Sequence, residues 1–254
     1  MKVKKQNRRK ILYTAAAALV WLLVWQAAAM LYGMDFVLPS PIKTAQVLAR
    51  SVCEPSFWSA VFFSVSRILL GFALSAAVGI ALSLLSIRIR LIGHLFSPFC
   101  SVIRAVPVAS FIILVLVMFS SKNVSTVVAA LMGFPVVCST LGRGIEATPA
   151  ELIEAADVFS LGYFSRLKYI YLPHLTPYMA SGLSVACGLS FKSGIAAEVI
   201  GYPTGSVGAA MYQAKLGLDM PKLLSYTVVI VCVSVICEKL ILLICKRKGK
   251  GEGA

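Results

Sequence analysis

The chain carries almost no catalytic equipment. Its 254 residues include only two histidines, His94 and His174. No apolar span holds a pair of carboxylates, and no Gly-x-x-x-x-Gly-Lys-Ser/Thr loop is present to cradle phosphates. A membrane enzyme, which would need a catalytic cluster near one interface, is therefore disfavoured. Seven cysteines lie mostly inside apolar stretches and form no Cys-x-x-Cys pair. That argues against a disulfide framework or a zinc site, so no metal and no cofactor is expected. Acidic residues are scarce, 10 against 24 lysines and arginines, which leaves a net charge of +14. In a soluble protein such an excess would suggest nucleic acid. Here 59% of the residues are hydrophobic, well above the soluble average of about 45–50%. The class is an all-α polytopic membrane protein, and no nucleic-acid partner is expected.

Apolar runs predict six spans, at about 11–32, 60–87, 95–119, 124–141, 178–200 and 223–245. The first could be a signal peptide, since Ala27–Ala29 resembles a cleavage site. Its apolar run exceeds the usual core of about 7–15 residues, which favours an uncleaved span. Leu38-Pro39-Ser40-Pro41 reads as a turn in which Ser40 caps a short helix over 42–52. In the second span Arg67, Gly71, Ser75, Gly79 and Ser83 recur every four residues, a small-residue stripe suited to close helix packing. In the third, Pro107 predicts a kink. The fifth is small on two sides, through Gly182, Ala186, Ser190, Gly194 and Glu198 and through Ala180, Ser184, Gly188, Lys192 and Ala196. Such a helix belongs at the centre of a bundle. A Gly-rich loop over 201–222 is expected to carry a short helix near 207–215.

Six spans put both termini on one side. Fifteen basic residues fall in the tails and the inner loops of that topology, against five in the outer loops. Both termini and the segment 142–176 are therefore expected in the cytoplasm. The basic tails also suit anionic lipid.

That cytoplasmic segment contains the one long polar interruption, Thr148–Pro177. Thr148, Pro149 and Glu151 read as a helix start, with Thr148 as cap and Glu151 closing a capping box. Leu152, Ile153, Ala156 and Phe159 share one face, and Glu151, Glu154 and Asp157 another. A second amphipathic piece follows, ended by Pro173 and Pro177. Glu154-Ala155-Ala156, followed at the right distance by Ile170, Leu172 and Pro173, resembles the E-A-A…G…I-x-L-P motif of ABC-importer permeases. The motif's glycine would stand at Ser160, and the nearest glycine is Gly162. Ser66, Arg67, Gly71 and Phe72 resemble a further family step. Arg104-Ala105-Val106-Pro107 resembles the R-x-x-P step of the nitrate, sulfonate and taurine branch.

The resemblance implies a single permease domain that forms the pathway for a small solute, with anions among the candidates, such as nitrate, sulfonate or taurine. It implies that residues 148–173 dock an ATP-hydrolysing subunit through Glu151, Glu154, Ala155, Ala156, Ser160, Gly162, Leu172 and Pro173. It also implies two copies of that ATPase, an extracytoplasmic solute-binding protein, a second permease copy in a homodimer, and a place in a bacterial inner membrane. The alternative is a secondary transporter or channel without an ATPase, which no visible inverted repeat supports.

Each intramembrane charge needs a reason, since it costs about 2.5–3.5 kcal/mol at the bilayer centre on insertion scales. Arg67 and Arg104 are candidates for the pathway, or for pairing with carbonyls and fixing helix packing. Lys192 is a candidate for lining the pathway or for a structural role. Glu198 is expected at the outer membrane edge, as a rim or gate. Glu238 and Lys239 are expected near the inner end of the last span, where they can snorkel.

Overall fold

The computed structural model describes the backbone of residues 2–251 and the side chains of residues 12–89 and 91–245. The tail residues that enter the charge count, and Arg90, lie outside the described side chains. The chain runs α1 (Lys2–Tyr32), α2 (Pro41–Ser51), α3 (Pro55–Arg88), α4 (Arg90–Ala105), α5 (Val108–Met118), α6 (Val124–Glu146), α7 (Ala150–Val158), α8 (Tyr163–Arg166), α9 (Leu172–Gly201), α10 (Val207–Leu216) and α11 (Met220–Gly251). Among the described residues there is no strand. Five stretches are long and apolar enough to cross a membrane: Leu12–Tyr32, Pro55–Arg88, Ser121–Glu146, Tyr163–Gly201 and Met220–Cys245. Leu91–Ala105 of α4 and Val108–Met118 of α5 are long and apolar enough only as a pair, and would make a sixth span, with a break in it, if the bent pair counts as one.

That break is sharper than the kink expected at Pro107. The two helices meet at 104°. Val106 leaves the helix with φ −74° and ψ 132°, and Pro107 starts α5 as its N-cap. The ring of a proline pushes the preceding residue out of the helical region, which ends α4 outright.

The chain divides into two compact units, Met1–Ser59 with Ala210–Val229 and Ala60–Ala209 with Ile230–Ala254. In the first, Ser40 Oγ accepts from the Lys43 N–H at 3.2 Å and Pro41 opens α2. The Trp25 indole donates to the Pro39 carbonyl at 3.1 Å, and Lys43 pairs with Asp35. Phe57 stacks on Tyr226 with ring centroids 4.7 Å apart.

The second unit is built on small residues meeting across helices. A Cβ at Gly133 of α6 would lie 2.6 Å from Ser75 Oγ of α3 and 2.9 Å from Ser190 Oγ of α9. A side chain there would force both serine hydroxyls aside where these three helices converge. One at Gly79 would meet Val137, one at Gly182 would meet Thr140, and one at Gly194 would meet Ile68. Ser190 Oγ donates to the Ala129 carbonyl at 3.0 Å. Both predicted stripes thus face protein, where removing side chains lets backbones approach. The other side of α9 behaves differently: Gly188 is buried, while Lys192, one turn on, is exposed.

The prolines expected to end the second amphipathic piece do not end it. A π-helical turn over Leu167–Tyr171 joins α8 to α9, and Pro177 lies inside α9. The stretch Tyr163–Gly201 is therefore one long helical element.

Candidate functional site: a polar cavity between α3, α4 and α6

Within the second unit, α7 ends in a left-handed turn. Ser160 has φ 51°, its N–H bonds the Asp157 carbonyl at 3.0 Å, and the Leu161 N–H reaches back to Ala156 O at 2.9 Å. This is a Schellman closure, which favours glycine at the left-handed position. It is the position where the motif's glycine would stand. The turn forms with serine there, and Arg166 braces it. Arg166 pairs with Asp157 at 2.6 Å and donates to Leu161 O at 2.7 Å and to Ala156 O at 3.4 Å. We expect Ser160→Gly to stabilise the chain by about 1 kcal/mol, because a side chain in that conformation costs roughly 1–2 kcal/mol. Thermal unfolding of the purified chain measures it; a lower midpoint would refute the assignment.

The expected start of α7 is corrected. Its N-cap is Pro149, with no side-chain hydrogen bond. Thr148 instead finishes α6: it is buried, its N–H bonds Ile145 O, and its hydroxyl donates to Gly144 O at 3.3 Å. A hydroxyl committed backwards cannot cap forwards, so no capping box forms with Glu151. The expected docking face also changes. Ala156 is 1% exposed and Ile153 faces inward, so neither is free to enter a partner. The open surface carries Glu151, Glu154 and Ala155, with Val158 and Phe159 beside them. Glu154 has no hydrogen bond or ion pair among the described residues. Ser160, Gly162 and Pro173 are exposed, and Leu172 is half-buried.

Ile153 faces a cavity of about 740 Å³. Its walls come from the end of α3, from α4 and from the second half of α6, and Ile153 of α7 and Tyr171 of the π turn close it. The lining is polar for a membrane protein: serine hydroxyls, the paired thiols Cys100 and Cys138, His94, Glu146, and the guanidiniums of Arg104 and Arg143. Arg104 Nε donates to Cys100 O at 3.3 Å in its own helix. Neither arginine has a carboxylate partner among the described residues. Sequence reading counted Arg143 only as an inner-loop charge, because α6 was expected to end at 141. It runs to Glu146 and carries Arg143 into the wall.

The other charges lie elsewhere. Arg67 donates to the Lys122 carbonyl and, at 3.1 Å, to Asn123 Oδ1; its guanidinium lies 4.4 Å from the Phe63 ring centroid. It ties α3 to the turn before α6. Lys192 is exposed and has no partner among the described residues. Glu198 is not at a rim. It is fully buried, accepts from Ser64 Oγ at 2.5 Å and from the Gly208 N–H at 3.3 Å, and Ser64 Oγ accepts from the Val207 N–H at 2.9 Å. Glu238 does not snorkel. Its carboxylate lies against Gly188 in the middle of α9, and Ser234 Oγ donates to it at 3.3 Å.

Apolar helices long enough to cross a membrane, small-residue packing and a polar cavity in the second unit are the features of a polytopic membrane protein. The chain belongs to the family described as binding-protein-dependent transport system inner membrane component, which matches residues 71–247. It is 25% identical to the nitrate import permease protein NrtB of Synechococcus elongatus, over 84% of this chain and 79% of that one. It is 27% identical to the riboflavin transport system permease protein RibX of Chloroflexus aurantiacus, over 79% of this chain and 75% of that one. Its fold is similar to a chain of the inward-facing MetNI methionine ABC transporter, with a TM-score of 0.51 and 15% identity over 76% of this chain and 93% of that chain. The protein is thus a multi-pass inner-membrane permease subunit of an ABC importer, not an enzyme. It works with a separate ATPase and a solute-binding protein.

Proposed function

We propose that this permease forms the pathway for a small solute that carries an anionic group, of the kind that nitrate, sulfonates and taurine exemplify. In this reading residues 148–173 carry the stroke of the ATPase to it. One observation carries the reading: the segment that exposes Glu154 and Ala155 also closes the polar cavity, through Ile153 and Tyr171. A partner gripping α7 would move a cavity wall directly. The continuous helical element Tyr163–Gly201 would pass the same motion along the span. The family alone leaves the solute open, since one relative is named for nitrate and another for riboflavin. The two arginines of the cavity against its one carboxylate, and the exposed Lys192 on α9, favour an anionic group.

The topology follows from charge. Both tails are basic, and the positive-inside rule puts both in the cytoplasm. An even number of crossings results, so the bent α4–α5 pair counts as one of six spans. Two ATPase copies then engage two permease copies, and the basic tails lie against anionic lipid. Lys192 supports the pairing of permeases. An exposed cation inside a span is costly against lipid, at about 2.5–3.5 kcal/mol, and tolerable facing a second copy across a watered pathway.

The test is uptake of nitrate into proteoliposomes holding this chain, its ATPase and its binding protein. Uptake should require ATP on the cytoplasmic side. Lys192→Met should lower it several-fold with assembly intact. Uptake that follows an ion gradient without ATP would instead favour the secondary transporter, and unchanged kinetics in the variant would remove Lys192 from the pathway.

A further inference from the structure

We propose that the cavity between α3, α4 and α6 is an anion-binding site within a single permease chain, held by Arg104 and Arg143. The inference rests on the reading of this cavity as part of the solute route, and it names the chemistry of its occupant.

The ledger of charge around the cavity favours an anion. Two guanidiniums line it, against one carboxylate, Glu146. His94 adds an imidazole, and Tyr171, Cys100 and Cys138 complete the titratable lining. Neither arginine is neutralised by an ion pair among the described residues. Arg104 spends one donor on Cys100 O, and a guanidinium has five N–H donors. Its remaining donors are unassigned, at the end of α4 beside the break with α5. A cation so placed is tolerated where it meets water or an anion, and not against lipid. Serine hydroxyls on α3, α4 and α6 can complete the donor set, since Ser83, Ser97 and Ser139 all line the cavity. The planar fork of a guanidinium matches two oxygens of a nitrate, carboxylate or sulfonate group. A volume of about 740 Å³ exceeds what one such ion needs, so a solute carrying an organic group also fits.

The occupant would touch the docking segment as well, because Ile153 and Tyr171 are part of the wall. Binding on this side therefore changes what the ATPase meets, which makes the site a place where solute arriving from the cytoplasm can slow the cycle.

A reporter stands inside the cavity. Cys138 is half-buried in its wall, with its thiol 3.8 Å from Gly79 O. The full chain, with its ATPase in lipid nanodiscs, is treated with an anionic or a cationic methanethiosulfonate, and peptide mass spectrometry follows modification at Cys138. The anionic reagent should react at least about tenfold faster, the low end of what a charged cleft gives. Nitrate, sulfate or methanesulfonate should slow it, while gluconate at the same ionic strength should not. Arg104→Gln with Arg143→Gln should abolish both the preference and the protection. Should those variants fail to fold, protection in the unaltered chain decides alone. Equal rates for the two reagents, or protection that gluconate matches, would overturn the proposal. If the preference and protection hold while none of the three anions is taken up, the site stands and the reading of an anionic transported solute falls.

Discussion

Glu154→Lys should leave the permease inserted and folded, yet remove most ATP-driven uptake. Glu154 is exposed on α7 and makes no contact that the fold requires. Folded yield should therefore stay within the small range of surface substitutions, about 0.5 kcal/mol. The partner side is different. Glu154 stands exposed at the middle of α7, unpaired among the described residues, so a groove accepting this helix meets an uncompensated negative charge. Reversing a charge at a desolvated contact costs roughly 2–5 kcal/mol, enough to weaken docking more than tenfold. Uptake and solute-stimulated ATP hydrolysis should both fall at least about tenfold in proteoliposomes with the ATPase present. Ala155→Trp tests the same contact by bulk, because Ala155 is exposed. Ala156→Trp does not, since Ala156 is 1% exposed inside the chain and a large ring there would disrupt the turn itself. Ala155→Cys should cross-link to the ATPase. If the two docking variants transport normally, or the cross-link forms only between permease chains, the segment docks something else.

The segment proposed to dock the ATPase was legible in the sequence because its signals are local: a polar run between apolar spans, with short motifs at fixed spacing. The packing stripes were legible for the same reason, since a four-residue period places Gly71, Ser75 and Gly79 on one side of a helix whatever surrounds it. Where the reading missed, a distant partner decided. Thr148 has the chemistry of a cap, but the end of α6 competes for its hydroxyl. Pro107 signals a disturbance, and the geometry of Val106 makes it a break. Arg143 joins Arg104 only because α6 runs one turn past its apolar stretch. Glu198 sits near a span end by count, and nothing adjacent in sequence reveals that Ser64, 134 residues away, would meet it. A charge in a span announces that a partner exists without saying which.

Glu198 also carries the second large expectation. Glu198→Leu should abolish folded yield, read by size exclusion of the solubilised chain, whereas Glu198→Gln should retain it. The carboxylate closes a small buried network. Ser64 Oγ and the Gly208 N–H both donate to Oε2, and the Val207 N–H donates to that serine in turn. Leucine fills the volume and offers no acceptor. It would strand the serine hydroxyl and the Gly208 N–H in a site where Glu198 and Ser64 are both fully buried. Each orphaned donor costs about 1–3 kcal/mol, a large share of the 5–15 kcal/mol that typically separates folded from unfolded. Glutamine keeps an acceptor oxygen in the same place. The backbone makes an independent check possible. The chain reaches this network through two left-handed residues, Tyr202 with φ 51° and Gly205 with φ 82°, and Gly208 then packs on α9. A Cβ at 208 would lie 2.5 Å from the Glu198 carbonyl carbon and 2.6 Å from the Val199 nitrogen. Those are backbone atoms that cannot rotate away, so Gly208→Ala should lower folded yield with no change of charge. Normal yield from both Glu198→Leu and Gly208→Ala would refute the structural role. A Glu198→Gln chain that folds fully but no longer transports would assign the charge to the solute route instead.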